Sequence, residues 1–426
     1  MIAYLCDRFG IGGRVRASAL RAYERVAATR YDAQLRVKAN VLQAFLDEGV
    51  DESDLAGSTG YGYDDAARAR YESLLARVFG AQRALARLSI VSGTHAIVAT
   101  IAACVPPGKA LLAVTGKPYD TLRNALCDHE HALTKTQGML YREIALTPDG
   151  HFNAPAIARE LGRGDVAAIF VQRSRGYATR PSVDVASIER LIAAVRRDAP
   201  GTLVLVDNCY GELVEAREPT HVGADAIMGS LIKNVGGALA PSGGYVAGRT
   251  QVVERVAARI FAPGLGAALG PTLGFGRAFI HGLFVAPLVV EQALRGLDFA
   301  AALFDDLGYR VDPQPGAVRT DIVQAIALGN PAALMRFARG LQSAMPINAK
   351  FRPEPGPVPG YTDPVIMSSG SFVGGATIEL SCDAPLREPY EAYLQGGIVA
   401  EHAYLGALLA ARSVLDEGRA LPREKQ

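Results

Sequence analysis

Three short segments carry side chains whose types and spacing could do chemistry. In Met-Gly-Ser-Leu-Ile-Lys-Asn (228–234), Lys233 is flanked by Leu231 and Ile232, which is not the setting of a solvated surface lysine. Partial desolvation lowers the pKa of an ammonium, and the resulting amine can form an imine with an aldehyde. A lone lysine is nevertheless solvated in most proteins. In Leu-Val-Leu-Val-Asp-Asn-Cys-Tyr-Gly-Glu (203–212), Asp207 closes an apolar run. A carboxylate buried at the end of a strand is costly without a partner; a satisfied structural aspartate explains this stretch equally well. In Leu-Ser-Ile-Val-Ser-Gly-Thr-His-Ala (88–96), a strand, a tight turn and an apolar helix follow one another. The free amides of such a helix N-terminus, with the hydroxyls of Ser92 and Thr94 beside them, would make a phosphate cup. Taken alone, an ordinary helix cap is the simpler reading.

Positioning such groups requires buried strands with helices between them. From residue 87, short apolar runs recur at Leu88–Val91, Leu111–Val114, Val166–Val171, Leu203–Val206, Ala226–Met228 and Gly244–Ala247. Helical patterns at 94–104, 119–126 and 186–197 separate several of them. Apolar runs without alternation, joined by helices, predict strands buried on both faces of a mostly parallel sheet. In this α/β architecture ligands bind beyond the carboxyl ends of the strands.

Upstream, residues 16–49 read as one helix with Val41, Leu42, Phe45 and Leu46 on one face. A Gly-rich turn (56–65) leads to a helix opened by Asp64 and Asp65, with Tyr71, Leu74, Leu75, Val78 and Phe79 at helical spacing. After about residue 286 come a long helix, strands at Ile322–Ala327 and Ala376–Leu380, and a closing helix near 395–412, with a Pro-Gly loop at 352–361. The expected organisation is an N-terminal helical segment (1–55), a large ligand-binding domain (56–285) and a smaller C-terminal α+β domain (286–426) whose charged last dozen residues fray.

Composition narrows the functional class. The 44 basic residues against 43 acidic ones give no electrostatic reason to expect nucleic acid or a membrane surface. Five scattered cysteines, never in a CxxC pattern, fit a reducing, cytoplasmic compartment. The N-terminus lacks the apolar core of a signal peptide, and the longest apolar run, 96–105, is short of the roughly 20 residues a membrane span needs. Cys-Asp-His-Glu-His (127–131) places two histidines at i, i+2, which do not share a helix face, so no metal site is expected.

The order of the three segments decides between the readings. A phosphate cup, then a strand-end aspartate, then Ser-x-x-Lys after a further strand is the order of a fold-type-I enzyme that uses pyridoxal 5′-phosphate (PLP). An aspartate facing the pyridinium nitrogen keeps it protonated and makes the ring an electron sink.

At this point the chain resembles a known family. Val-Asp-Asn-Cys-Tyr (206–210) and Ser-Leu-Ile-Lys (230–233) are similar to segments of the PLP enzymes of cysteine and methionine metabolism, the cystathionine and methionine γ-lyases. The closer resemblance is to the aluminium resistance, or methionine γ-lyase-related, branch. It rests on Gly-Ser-Thr-Gly-Tyr-Gly-Tyr-Asp-Asp (57–65), Ser-Gly-Thr-His-Ala (92–96), Thr-Gly-Lys-Pro-Tyr-Asp-Thr (115–121) and Gln-Arg-Ser-Arg-Gly-Tyr (172–177). It continues through Gly-Ser-Leu-Ile-Lys-Asn (229–234), Pro-Ser-Gly-Gly-Tyr (241–245) and Asp-Pro-Val-Ile-Met (363–367).

This resemblance implies that Lys233 is the Schiff-base lysine and a mobile base, and that Asp207 pairs with the pyridine nitrogen. It implies that Ser92, Gly93, Thr94 and Ser230 hold the phosphate, and that Tyr119 stacks on the ring and serves as an acid–base group. Tyr61 and Tyr63 lie in the segment that reaches a neighbouring subunit's phosphate, which implies a homodimer or homotetramer with intersubunit sites. Tyr63 and Ile232 stand where the γ-lyases have an arginine and a hydroxyl residue, and their asparagine near the cofactor hydroxyl is replaced within 172–175. For the substrate carboxylate Arg387 is preferred and Arg173 is second, because a guanidinium fork suits a carboxylate. The expected reaction is β- or γ-elimination from a sulfur amino acid, giving a 2-oxo acid, ammonia and a thiol. The rivals are another PLP reaction on an amino acid, such as an aldolase or transferase, and a non-catalytic PLP-fold protein linked to metal stress tolerance.

Overall fold

The computed structural model describes residues 1–416; the end of the charged tail expected to fray lies outside them. Two sheets organise the chain. The first has seven strands in the order β1-β7-β6-β5-β4-β2-β3, formed by Arg83–Arg87 (β1), Ala110–Ala113 (β2), Leu140–Glu143 (β3), Val166–Gln172 (β4), Leu203–Asp207 (β5), Ala226–Ser230 (β6) and Gly244–Gly248 (β7). All pairings from β3 to β6 are parallel, and only β7 runs against its neighbours. Strands β2, β4, β5, β6 and β7 are buried on both faces, as their unbroken apolar runs require.

The second sheet is antiparallel, in the order β10-β11-β12-β9-β8, formed by Arg310–Asp312 (β8), Val323–Ala327 (β9), Val365–Ser369 (β10), Ser381–Pro385 (β11) and Glu391–Gln395 (β12). Helices Pro331–Gln342 and Ala400–Leu415 pack on each other beside it. The 31-residue helix Gly276–Asp306 runs unbroken through the expected 285/286 border, with Pro287 inside it. Among the described residues it is the one helix long and apolar enough to cross a membrane, and 56% of its apolar window is buried within the protein.

Several elements differ from the sequence expectation. The single helix at 16–49 is two, Gly13–Ala27 and Asp32–Glu48. Val26 and Val37 are both buried, and their separation of eleven residues is close to three helical turns, so the apolar period runs in phase across the break. The buried face of the second helix is Val37, Val41 and Ala44, whereas Leu42 and Leu46 are exposed. The strand expected at Leu88–Val91 is instead β1, which ends just before it and is made of Arg-Ala-Leu-Ala-Arg. Its Arg87 is buried because its guanidinium reaches the carbonyls of Leu269 and Ala267 and pairs with Glu72. The strand expected at Ala376–Leu380 is a series of turns, in which the Glu379 carboxylate accepts the amides of Phe372 and Val373. The strand is β11, hidden by its polar residues; Asp383 there is buried and accepts a hydrogen bond from Gln395 Nε2 at 3.0 Å. The closing helix begins at Ala400, because residue 395 ends β12.

Candidate active site

The parallel register brings the chemical groups of three strands to one edge. Gln172 at the end of β4 pairs with Asp207 at the end of β5, and Ser230 ends β6 next door. Beyond these ends lies a cavity of about 250 Å³ whose walls include Ser92, Gly93, Thr94, Tyr119, Asp207, Ser230 and Lys233.

The phosphate cup is the first turn of helix Gly93–Cys104. Ser92 caps it by accepting the His95 amide at 3.1 Å. The Gly93 and Thr94 amides have no intrahelical acceptor by the geometry of a helix start. Gly93 lets this turn approach β6: a Cβ there would sit 3.2 Å from the Ser230 nitrogen and 3.2 Å from Cys209 Sγ. The Thr94 hydroxyl lies 2.9 Å from the Tyr119 hydroxyl, and the Gln172 side chain accepts the Tyr119 amide at 3.1 Å, so Tyr119 is held at both ends.

Asp207 is buried and accepts the Cys209 amide at 3.1 Å. Burial raises its pKa against the lowering effect of Lys233 and of the bonds from Cys209. Such a carboxylate suits a protonated ring nitrogen, whose charge would restore the carboxylate. Lys233 follows the β6 end and reaches back, its ammonium 3.9 Å from the centroid of the Tyr210 ring. The expectation of a lowered lysine pKa is corrected here. Burial does lower it, but Cys209, Tyr210, Asp207 and Tyr119 together outweigh burial and raise it well above the ordinary range. Tyr119 is itself raised, by burial and then by Asp207.

Not every expected residue joins the cavity. Arg173 does not. Its guanidinium is fully buried among Glu215 (2.6 Å), Asn208 (2.7 Å), the Gly211 carbonyl (2.9 Å) and Glu218 (3.3 Å). With both terminal nitrogens committed to these groups, it is an internal brace, not a carboxylate receptor. Arg387 lines a second cavity of about 230 Å³ that shares Tyr119 and Tyr177 with the first and also holds Lys117 and Arg175. It donates to Asp363 at 3.2 Å, Asp120 at 3.5 Å and the Tyr177 carbonyl at 3.3 Å. Tyr61 and Tyr63 are exposed and do not line this chain's own cavity. Their loop is stiff nonetheless. Asp65 accepts from Ser58 and Thr272 through amide and hydroxyl alike, and Arg68 donates to the carbonyls of Gly62, Tyr63 and Gly270.

The sequence reading missed the aromatic wall. Tyr177, Tyr210 and Tyr361 all line the cavity, and the rings of Tyr177 and Tyr361 lie 5.2 Å apart. Tyr361 comes from the Pro-Gly loop 352–361, where Asn124 Nδ2 donates to the Gly360 carbonyl at 2.8 Å. No local pattern marks such residues, because three distant segments supply them.

With this geometry in view, the family model for methionine gamma-lyase matches residues 15–415. The chain belongs to the methionine gamma-lyase family. The protein YnbB of Bacillus subtilis is 41% identical to this chain over 380 residues, covering 88% of this chain and 90% of YnbB. A crystal structure from Clostridium acetobutylicum, described as a candidate cystathionine beta-lyase involved in aluminum resistance, is 39% identical with a TM-score of 0.92 and covers 97% of this chain and 98% of its own. A carbon-sulfur lyase involved in aluminum resistance from Clostridium novyi is 36% identical with a TM-score of 0.90, covering 96% and 98%. The PLP-dependent protein YhfS of Escherichia coli, at 18% identity and a TM-score of 0.58 over 90% of this chain and 96% of its own, shares the fold. The methionine gamma-lyase family member described here is thus a fold-type-I chain, an α/β protein with a mostly parallel sheet and a second antiparallel one.

Proposed function

We propose that this protein is a PLP-dependent carbon–sulfur lyase that eliminates a β or γ sulfur substituent from an amino acid, leaving a 2-oxo acid, ammonia and a thiol. The observation that carries this reading is the convergence of Lys233, Asp207 and the Ser92–Thr94 turn on one cavity in a chain of this family. When bound, the cofactor would supply an electron sink for the carbanion formed at the substrate's Cα.

The rest is the work of the protein's own side chains. The Gly93 and Thr94 amides, with Ser92 and Ser230, would hold the phosphate. Asp207 would face the ring nitrogen. Lys233 would bear the cofactor and, once released, move the Cα proton to the position where the leaving group departs. Tyr119, pinned by Thr94 and Gln172, would cover the ring. Arg387 would take the substrate carboxylate by giving up one of its aspartate contacts, which places the substrate's polar end toward the second cavity. Tyr61 and Tyr63, held outward on their stiff loop, would complete the site of a second copy, so that a homodimer in the cytoplasm is the working unit.

The test is direct. Addition of PLP to the purified protein should produce a visible absorption band, and borohydride reduction should leave the group on the Lys233 peptide. Amino acids bearing β or γ sulfur substituents should then yield a 2-oxo acid and a thiol. A reduced adduct on another lysine, or no thiol from any member of the panel, overturns the reading.

A further inference from the structure

Tyr210 has a backbone φ of +72°, in the left-handed region. A bulky aromatic residue adopts this conformation only when its surroundings impose it. The surroundings here are specific. The Tyr210 carbonyl accepts the amide of Ile322 at 3.1 Å and Nδ2 of Asn234 at 3.1 Å, and the Asn234 Nδ2 also reaches the Glu212 carbonyl at 2.8 Å. Asn234 is the residue next to Lys233. One side chain therefore staples the strained turn after β5 to the turn that carries the lysine. Its ring faces the cavity, with the Lys233 ammonium 3.9 Å from the ring centroid.

From this geometry we infer that Tyr210 is a positioning residue: its ring face docks the protonated Lys233 side chain whenever that lysine is not attached to the cofactor. The inference rests on the reading of Lys233 as the residue that bears the cofactor and carries the proton. A lysine that alternates between attachment and release needs a defined resting place, or the released ammonium would sample the whole cavity. A ring face provides that place. It attracts the charged form through its quadrupole and leaves the N–H groups free to donate. The strain at Tyr210 is what aims the ring. The titratable groups facing Lys233 come from several elements: Asp207 and Cys209 on the β5 end, Tyr119 from its own turn, and more remotely Glu212 and Asp383. Removing the ring leaves all of these in place.

The experiment uses the full-length chain freed of cofactor. The rate of reductive methylation at Lys233 is followed by mass spectrometry across a pH series for the wild type and for Tyr210→Phe, Tyr210→Leu and Tyr210→Gly. The high-pH plateau reports access to the amine, and the midpoint reports its protonation. In the Leu and Gly variants the midpoint should move to lower pH, so that labelling at neutral pH rises about tenfold after correction for the plateau. The Phe variant keeps the ring face and should stay within about twofold of the wild type. The Gly variant relieves the left-handed strain, which keeps a folded ring-free protein in the series. A midpoint unmoved in both ring-free variants, or moved equally in the Phe variant, overturns the inference. Borohydride fixation of cofactor on Lys233 reads the functional proposal separately, so the failure of one is distinguishable from the failure of the other.

Discussion

At the residue scale, the carboxylates buried near Lys233 divide by what they touch. Asp207 opens onto the cavity, and replacing it with Asn should lower the turnover of cofactor-loaded protein by roughly 10²–10³-fold, the scale of losing one preorganised electrostatic contact. The protein should still fold, which thermal denaturation would show. Glu212 is different. It lies beneath the β6 end, is fully buried, and accepts a hydrogen bond from the Tyr245 hydroxyl at 2.9 Å. Burial raises its pKa to about 8 from 4.5. The native state therefore keeps a proton that the unfolded chain gives up, and unfolding releases it. Stability from this group is complete below about pH 4.5, declines as pH rises, and is gone above about pH 8. Glu212→Gln keeps a neutral hydrogen-bonding group and should flatten the fall of Tm between those limits; a fall as steep as the wild type's would assign the effect elsewhere.

Two elements do more than connect others. The turn at Ser92–Gly93 brings a helix start against the β6 end, and Gly93→Ala would place a methyl 3.2 Å from the Ser230 nitrogen. A shift of a few tenths of an ångström would follow, enough to misalign the amides. Cofactor affinity in an absorbance titration should fall about tenfold, the equivalent of one hydrogen bond to a charged group, with Tm little changed. The loop that ends at Asp65 depends on one carboxylate that caps helix Ala66–Phe79 and gathers Ser58 and Thr272. Asp65→Ala leaves those buried donors unmatched and should cost about 2–4 kcal/mol in denaturant unfolding. Its depressed pKa, about 2, means that this contribution survives until strongly acid pH and is lost as pH falls through that value.

On the scale of the whole molecule, the exposed apolar residues are not scattered evenly. Leu35, Leu42 and Leu46 on helix Asp32–Glu48 are exposed, as are Phe284 and Leu288 on the helix Gly276–Asp306 against which it packs. The Phe45 ring bridges the two helices, 5.3 Å from that of Phe284. An apolar face of this kind, with the presented pair Tyr61 and Tyr63 as a second exposed feature, is the surface the proposed second copy of the chain would have to cover. If each site is completed by its neighbour, Lys233→Ala and Tyr61→Ala proteins, each nearly inactive, should regain activity when their subunits are mixed and exchanged. A mixture no more active than its parts would show that every chain completes its own site.

Much of the site was legible in the sequence because its chemistry follows from local patterns. Asp207 closes an apolar strand, Ser92 and Gly93 open an apolar helix, and Lys233 sits among apolar neighbours; each signal survives without knowledge of any distant residue. Sequence periodicity likewise determined the buried parallel strands. Tertiary structure decided what depends on distant partners. The break at residues 28–31 is silent because the apolar period stays in phase across it, and β11 is silent because its aspartate is satisfied by Gln395 from the neighbouring strand. Arg173 and Arg387 look alike as sequence, yet the terminal nitrogens of one are taken up by Glu215 and Glu218 while the other borders a cavity. The Lys233 pKa, expected low from its apolar flanks, is set instead by Cys209, Tyr210, Asp207 and Tyr119, which only folding brings around it. Burial is written in the chain's own pattern, whereas electrostatics and the strained Tyr210 turn belong to groups that meet in space.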